Sequence, residues 1–364
     1  MPPPRRRGSP AFCPNPRCDS RTKSTPWRYK KKGFFLRDRQ PRRIQRYVCH
    51  HCGRNFSSQT FDVSYWLRDG LRLEPLFQRL VSCSGLRQIA REMEVSHSTV
   101  QRLTERLGRH CLLFHERLRP RATPAEPLIL DGFRSFEHSQ YWPMELNLLV
   151  GASHYVYGFN DVELRRSGTL RLSQRRKRAR LERRYGRPDP RATRRQVQEL
   201  LRRIVPPGGT AVIRSDEHPA YPQAMHRLRD RSFHHEPTPS KAARTTQNPL
   251  FPVNLADLLL RHCGANHKRE TIAFSKRRQG ALYRAAIWVV WKNYIKSLSE
   301  NRRDAPPAKR LGLIARALTV REVLATRLFP DRHKLSSWLV ACYFGRIPTR
   351  ALSACRLHRA KYAV

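Results

Sequence analysis

A chain of 364 residues is long enough for two or three domains with a buried core, and this one sets 73 Lys and Arg against 28 Asp and Glu. The formal net charge of +45 exceeds what solubility needs and repels itself in a compact state, so a polyanion is the expected partner, with double-stranded DNA the leading choice. No run of about 18 apolar residues exists to span a bilayer, and MPPPRRRGSP lacks the apolar core of a signal peptide. The expectation is therefore a soluble cytoplasmic protein with no membrane partner.

The first region, residues 1–58, carries four of the nine cysteines. Cys13 and Cys18 form C-x4-C, and Cys49 and Cys52 form C-x2-C after a 30-residue interval. Zinc takes four thiolates at tetrahedral corners, and two close pairs joined by an antiparallel ribbon supply them, so these residues read as a structural Zn2+ site in a zinc ribbon. Gly53 after the second pair permits the turn that aims backbone amides at the sulfurs. Trp27, Tyr29, Phe34, Phe35 and Tyr47 suit the ribbon strands. His50 and His51 stand beside a complete cysteine set and read as spectators.

Residues 59–119 have helical periodicity with few Pro or Gly. In GLRQIAREMEVSHSTVQRLTERL, Leu86, Ile89, Ala90 and Met93 share one helical face, Val95 occupies a turn, Ser96 can cap a second helix, and Val100, Leu103 and Leu107 line its inner side. That is a helix-turn-helix pattern, whose second helix would present His97, Ser98, Thr99, Gln101 and Arg102 to DNA. Glu94 stands where the pattern usually has glycine.

Residues 120–127 read as a linker, and from Leu128 short apolar runs (LIL, LNLLVG, YVYGF, TAVIRSD) alternate with helical or polar stretches, an α/β signature. Asp131 ends the first run and Asp216 the TAVIRS run. Two acids at the tips of neighbouring strands, with a third from a later helix, are what a ribonuclease H-like sheet gathers. Such acids repel one another unless Mg2+ or Mn2+ lies between them, and two such ions can serve in-line displacement at phosphorus. Glu270, ahead of an amphipathic helix with Ile287, Trp288, Trp291 and Ile295, is the choice for the third acid. Within 128–300, the stretch 165–204 holds 16 Lys and Arg but 3 acids and reads as a phosphate-contacting insertion, with Arg175, Arg176, Lys177 and Arg178 at its centre. Residues 301–364 form a basic C-terminal region with no function legible in them.

The fold class expected is thus multidomain α/β: zinc ribbon, helical DNA-binding domain, and ribonuclease H-like mixed sheet with flanking helices. CPNPRC, YVCHHCGRNF, LRQIAREMEVSHSTVQRL, IRSDEHPAY and HKRETIAFSKRRQ, in this order, resemble the bacterial insertion-sequence transposases of the InsAB type. The resemblance implies a DDE-type transposase of the bacterial nucleoid that binds terminal inverted repeats, works as a homodimer or higher oligomer, cuts by metal-assisted hydrolysis and joins 3′ ends to target DNA. Asp131 and Asp216 match the first two acids. At the third, where the family has an acid shortly after FS, this chain has Arg277, Arg278 and Gln279. Either Glu270 takes the role, or a ligand is missing and the chain is a non-catalytic DNA-binding regulator or an inactive, domesticated transposase.

Overall fold

A computed structural model describes residues 10, 12–22, 27–38, 42–67, 70, 72–299, 301 and 305–359; the basic start, 1–9, and the end of the basic tail, 360–364, lie outside them. The protein is mixed α/β with two sheets. Near the N-terminus a short helix α1 (Asp19–Thr22) precedes an antiparallel sheet of β1 (Tyr29–Leu36), β2 (Arg43–Cys49) and β3 (Asn55–Ser57). A bulge interrupts the pairing between Lys31 and Phe34, where Gly33 takes φ +64°.

Three helices follow: α2 (Leu73–Leu80), α3 (Leu86–Glu92) and α4 (His97–Leu118). The apolar spacing fixes how they meet. Ile89 and Ala90 of α3 are buried with Val100, Leu103 and Leu107 of α4, and Leu73, Leu76, Phe77 and Leu80 of α2 close the cluster. Truncating any one of the large members to Ala costs roughly 2–5 kcal/mol. Ser96 caps α4 by accepting from the Thr99 amide at 3.2 Å. In the turn, Glu94 adopts φ +51°, the left-handed conformation that explains why glycine is usual there.

A five-stranded sheet contains β4 (Leu128–Phe136), β5 (Pro143–Gly151), β6 (Val156–Glu163), β7 (Thr210–Ser215) and β8 (Ser232–Pro237) in the spatial order β6-β5-β4-β7-β8. The β4–β5 and β5–β6 pairs are antiparallel, while β4–β7 and β7–β8 are parallel. Leu128, Ile129 and Leu130 are all fully buried because β4 is central and covered on both faces. Between β6 and β7 lie α5 (Leu172–Tyr185) and α6 (Ala192–Ile204), and α7 (Ala220–His226) links β7 to β8. α8 (Phe251–Cys263) follows β8 and packs on β4 and β5, and α9 (Arg278–Val290) continues into a π-helical turn, Trp291–Ile295.

Three expectations change here. Asp131 is not the end of its strand: β4 continues to Phe136, with Asp131 opposite Leu148. The basic stretch 165–204, expected to contact phosphates, also serves the core, because Val197, Leu200, Leu201 and Ile204 recur at helical spacing and bury α6 against β6. α5, by contrast, buries none of its residues. Nor do residues 120–127 hang free. The Glu126 carboxylate accepts from the Ser153 amide (2.5 Å), the Ser153 hydroxyl (2.7 Å) and the Tyr157 hydroxyl (2.8 Å). The helical region and the α/β region share one continuous core in which α4 runs along α9. Gly108 permits the approach: a Cβ there would fall 2.3 Å from that of Tyr283.

The C-terminal region belongs to that core as well. It supplies α10 (Pro307–Arg310), α11 (Val320–Ala325) and α12 (Ser337–Tyr343), and Trp338, Leu339, Cys342 and Tyr343 are buried. Tyr283 donates to the Cys342 carbonyl at 3.1 Å, and Gln279 bridges the Cys342 carbonyl and the Ile347 amide. Farther along, Phe329 joins the cysteine cluster of the first region, and Asp331 takes a two-pronged ion pair from Arg21 at 2.5 and 2.7 Å.

Candidate metal centre and acidic site

The knuckles bring Cys13, Cys18, Cys49 and Cys52 together, their sulfurs all within 4.8 Å of one another. Tetrahedral bonds of 2.3 Å place thiolates about 3.8 Å apart. Here Cys13 and Cys52 are separated by 3.6 Å and Cys18 and Cys49 by 3.9 Å, so the set could hold one zinc ion. Burial pushes the Cys49 thiol up, but the backbone amides of Cys52 and His51 and the Trp27 indole, which donates at 3.3 Å, outweigh it and bring the pKa to about 6. Gly53, at φ +67°, makes the turn and donates to the Cys49 carbonyl at 2.9 Å. His51 lies 3.7 Å from Asp19 and outside the set.

The acids occupy the middle of the large sheet. In the parallel ladder Leu128 pairs with Ile213, Ile129 with Arg214 and Leu130 with Ser215, so the next residues are Asp131, within β4, and Asp216, just past the end of β7. Strands lie about 4.8 Å apart, close enough for two carboxylates to feel each other. The effect is visible: burial, and after it the charge of Asp216, raises the Asp131 carboxyl above its usual range, against the Gly132 amide that donates to it at 2.7 Å.

A third acid comes from α8. Arg261 of this helix lies over the Phe133 ring at 4.3 Å and donates to the Arg134 carbonyl at 3.0 Å, which sets α8 on the face carrying Phe133 and Asp131. One turn earlier on α8 is Asp257. Burial first and the Asp131 charge second push its carboxyl well above the ordinary value, and its Oδ1 is buried without a hydrogen-bond partner. A buried orphan carboxylate oxygen is costly to hold and is what a hard cation takes up. Glu145 is also raised, by burial and then by Asp131, although it is paired with Arg134 and so belongs to the opposite face.

Glu270 is elsewhere. It stands exposed on the loop between α8 and α9, just after exposed Lys268 and Arg269. The sequence signal for Asp257 was present in PVNLADLLLRHC, an amphipathic helix whose single acid lies among apolar residues, but without the register nothing connected it to Asp131. As they stand, the aspartate oxygens do not converge on one point: among the described residues the four cysteines alone form a group of three or more ligands that could hold one ion.

At the position where an acid follows FS in the resembling family, Arg278 lies in a cage of acids. Its guanidinium reaches Glu137 at 3.0 Å, Asp161 at 3.2 Å and Glu163 at 3.6 Å. Trp338 donates to Asp161 at 2.6 Å, and Thr349 to Glu137. Of the residues expected to meet DNA, His97, Ser98, Gln101 and Arg102 are exposed on the first turns of α4, with Thr99 half-buried in the cap. Arg175, Arg176 and Lys177 are exposed on α5, and Arg178 turns back to the Arg166 carbonyl.

No protein-family model matches the chain, and no curated protein matches it. Among solved structures it is similar to a chain of the simian T-cell lymphotropic virus intasome in complex with PP2A regulatory subunit B56 gamma. The identity is 12% and the TM-score 0.22, over 59% of this chain and 60% of that one, so the match spans less than two thirds of either. Among the described residues no helix is long and apolar enough to cross a membrane.

Proposed function

We propose that the chain is a metal-dependent DNA strand-cleaving and strand-joining enzyme, a transposase of the DDE type with Asp257 in the third position. The strand order, with β5 antiparallel to its neighbours and parallel β7 and β8 on the other side, is that of a ribonuclease H-like sheet, which supports this reading. The observation that carries it is the approach of Asp131 to Asp216 and to Asp257, the last with an orphan buried oxygen, in a chain of net charge +45. Their hard oxygen donors fit Mg2+ or Mn2+, which when bound supply Lewis-acid stabilisation of the attacking and leaving oxygens. The protein's own part is to hold the acids from rigid strands and one helix, and to bring DNA to them with His97, Ser98, Gln101 and Arg102 of α4 and the cationic face of α5. Two DNA ends would require a dimer or higher oligomer.

A second reading, a DNA-binding regulator without catalysis, is favoured by the separation of the aspartate oxygens, which do not form a one-ion cluster. One experiment decides between them: strand cleavage in Mn2+ of duplexes carrying the sequences that flank the gene. Cleavage by the wild type, reduced at least ~10³-fold in Asp131→Ala, Asp216→Ala and Asp257→Ala, supports the enzyme. Binding without cleavage, or cleavage that survives Asp216→Ala, sinks it.

A further inference from the structure

β1 exposes seven of its eight residues, on both faces of the ribbon. Phe34 is 44% exposed, Phe35 42% and Leu36 71%, an apolar run on an edge strand that invites a partner. The surrounding charge says which kind. From Arg28 to Arg46 the sequence has nine Lys and Arg and one acid, Asp38. A second copy of this ribbon would bring the same cations face to face, whereas a nucleic-acid strand would neutralise them.

The bulge arranges the two chemistries. It sets Phe34 opposite Gln45 and Phe35 opposite Ile44, so successive rings stand on opposite faces. The Arg43 guanidinium lies 3.7 Å from the Phe34 ring centroid, a cation already stacked on one side of the aromatic. Lys30, Lys31 and Lys32 continue the strand on the other side of Gly33. Rings and cations interleaved along one extended strand suit unpaired DNA, whose base faces are open to stacking; a duplex hides those faces. The ribbon is also held firmly: Arg21 pairs with Asp331, and Phe329 packs into the cysteine cluster.

We propose that the β1–β2 ribbon is a nucleic-acid site separate from that of α4, which takes unpaired DNA with Lys30, Lys31 and Lys32 on phosphates and Phe34 and Phe35 on bases. The site does not depend on the acidic cluster, so a chain that binds here but cleaves nothing would overturn the proposed enzyme and leave this inference standing.

The test uses the full chain and two fluorescent probes of about 20 nucleotides, an oligothymidylate containing one 2-aminopurine and a matched duplex, titrated over a salt series. Lys30→Ala/Lys31→Ala/Lys32→Ala is expected to make the logarithmic salt dependence for the single strand shallower by about 2. Phe34→Ala/Phe35→Ala is expected to weaken the single strand roughly 10-fold, abolish the 2-aminopurine response, and leave the salt slope and the duplex affinity nearly unchanged. All five side chains are exposed, and circular dichroism checks the fold. Unaltered single-strand binding by the phenylalanine variant overturns the proposal, as does an equal loss for both probes. A change confined to sedimentation would assign the face to a second copy and overturn it as well.

Discussion

Glu137, Asp161 and Glu163 surround a guanidinium, while Asp131, Asp216 and Asp257 surround one another. Both groups lie against the same five-stranded sheet, the first largely buried and the second partly so. In the first, Arg278 is a built-in counter-ion, fixed by α9 and enclosed by Trp338 and Thr349 from the C-terminal region. In the second, Arg134 and Arg244 act from an exposed strand position and an exposed loop and Arg261 from α8, and the Asp131 and Asp257 carboxyls remain raised, as burial also leaves Glu137 in the first. A cluster that carries its own cation serves to hold segments together. One that lacks it stores repulsion that an external cation can relieve.

The largest effect that can break this comparison is expected at the caged cation. Arg278→Ala leaves Glu137 and Asp161 buried with hydrogen bonds from Thr349 and Trp338 but no cation, while Glu163 keeps Arg350 at 2.5 Å, and is expected to lower stability by about 3–5 kcal/mol, read from chemical denaturation. That is a large part of what a domain has to spare. A variant as stable as the wild type would mean that the cage does not hold the C-terminal region in place.

The opposite sign is expected at the other cluster. Asp257→Asn removes a charge held in an unfavourable place and should stabilise the fold by roughly 1–2 kcal/mol at pH 7.5. The sign follows from linkage. A carboxyl whose folded pKa is raised costs nothing below its unfolded pKa, near 3.8, and its penalty grows as pH rises from there to the folded pKa. The melting-temperature gap between variant and wild type should therefore be smallest near pH 4 and widen upward. A gap that is constant with pH would remove the charge from the explanation.

Much of this contrast was legible in the sequence, and one part was not. The cysteine spacing and the helical periodicity of 86–107 are local patterns that state their own geometry, whereas the apolar run before Asp131 did not mark the end of its strand. Pairing Asp131 with Asp216 needed only the guess that LIL and TAVIRS lie side by side. Asp257 and Arg278 are decided by long-range register: α8 must be laid on the Phe133 face before its single acid meets Asp131, and α9 must reach β6 before Arg278 meets Asp161. The C-terminal region was unreadable for the same reason, since Trp338 and Thr349 acquire meaning only from partners 177 and 212 residues away.

Cation binding sharpens the comparison further. Mn2+ that binds the native acids and not the unfolded chain stabilises by RT ln(1 + [Mn2+]/Kd), about 1.4 kcal/mol at ten times Kd. The wild type should gain this in a thermal melt and Asp257→Asn should not, while the four clustered cysteines are kept out of the reading by adding saturating zinc beforehand. Equal gains in both proteins would put the ion somewhere other than the aspartates.

The smallest effect is expected at Glu270, and it is informative because sequence order alone made it the third acid. Its side chain is exposed on the α8–α9 loop just after Lys268 and Arg269, outside both clusters. Removing an exposed charge from such a loop changes stability by no more than about 0.5 kcal/mol, and Glu270→Ala should keep both the Mn2+ stabilisation and the strand cleavage of the wild type. Loss of either in Glu270→Ala, with Asp257→Asn behaving as wild type, would return the third position to the loop. It would also require the loop to fold toward β4 when DNA binds, bringing a carboxylate thirteen residues beyond α8's own acid to the same two aspartates.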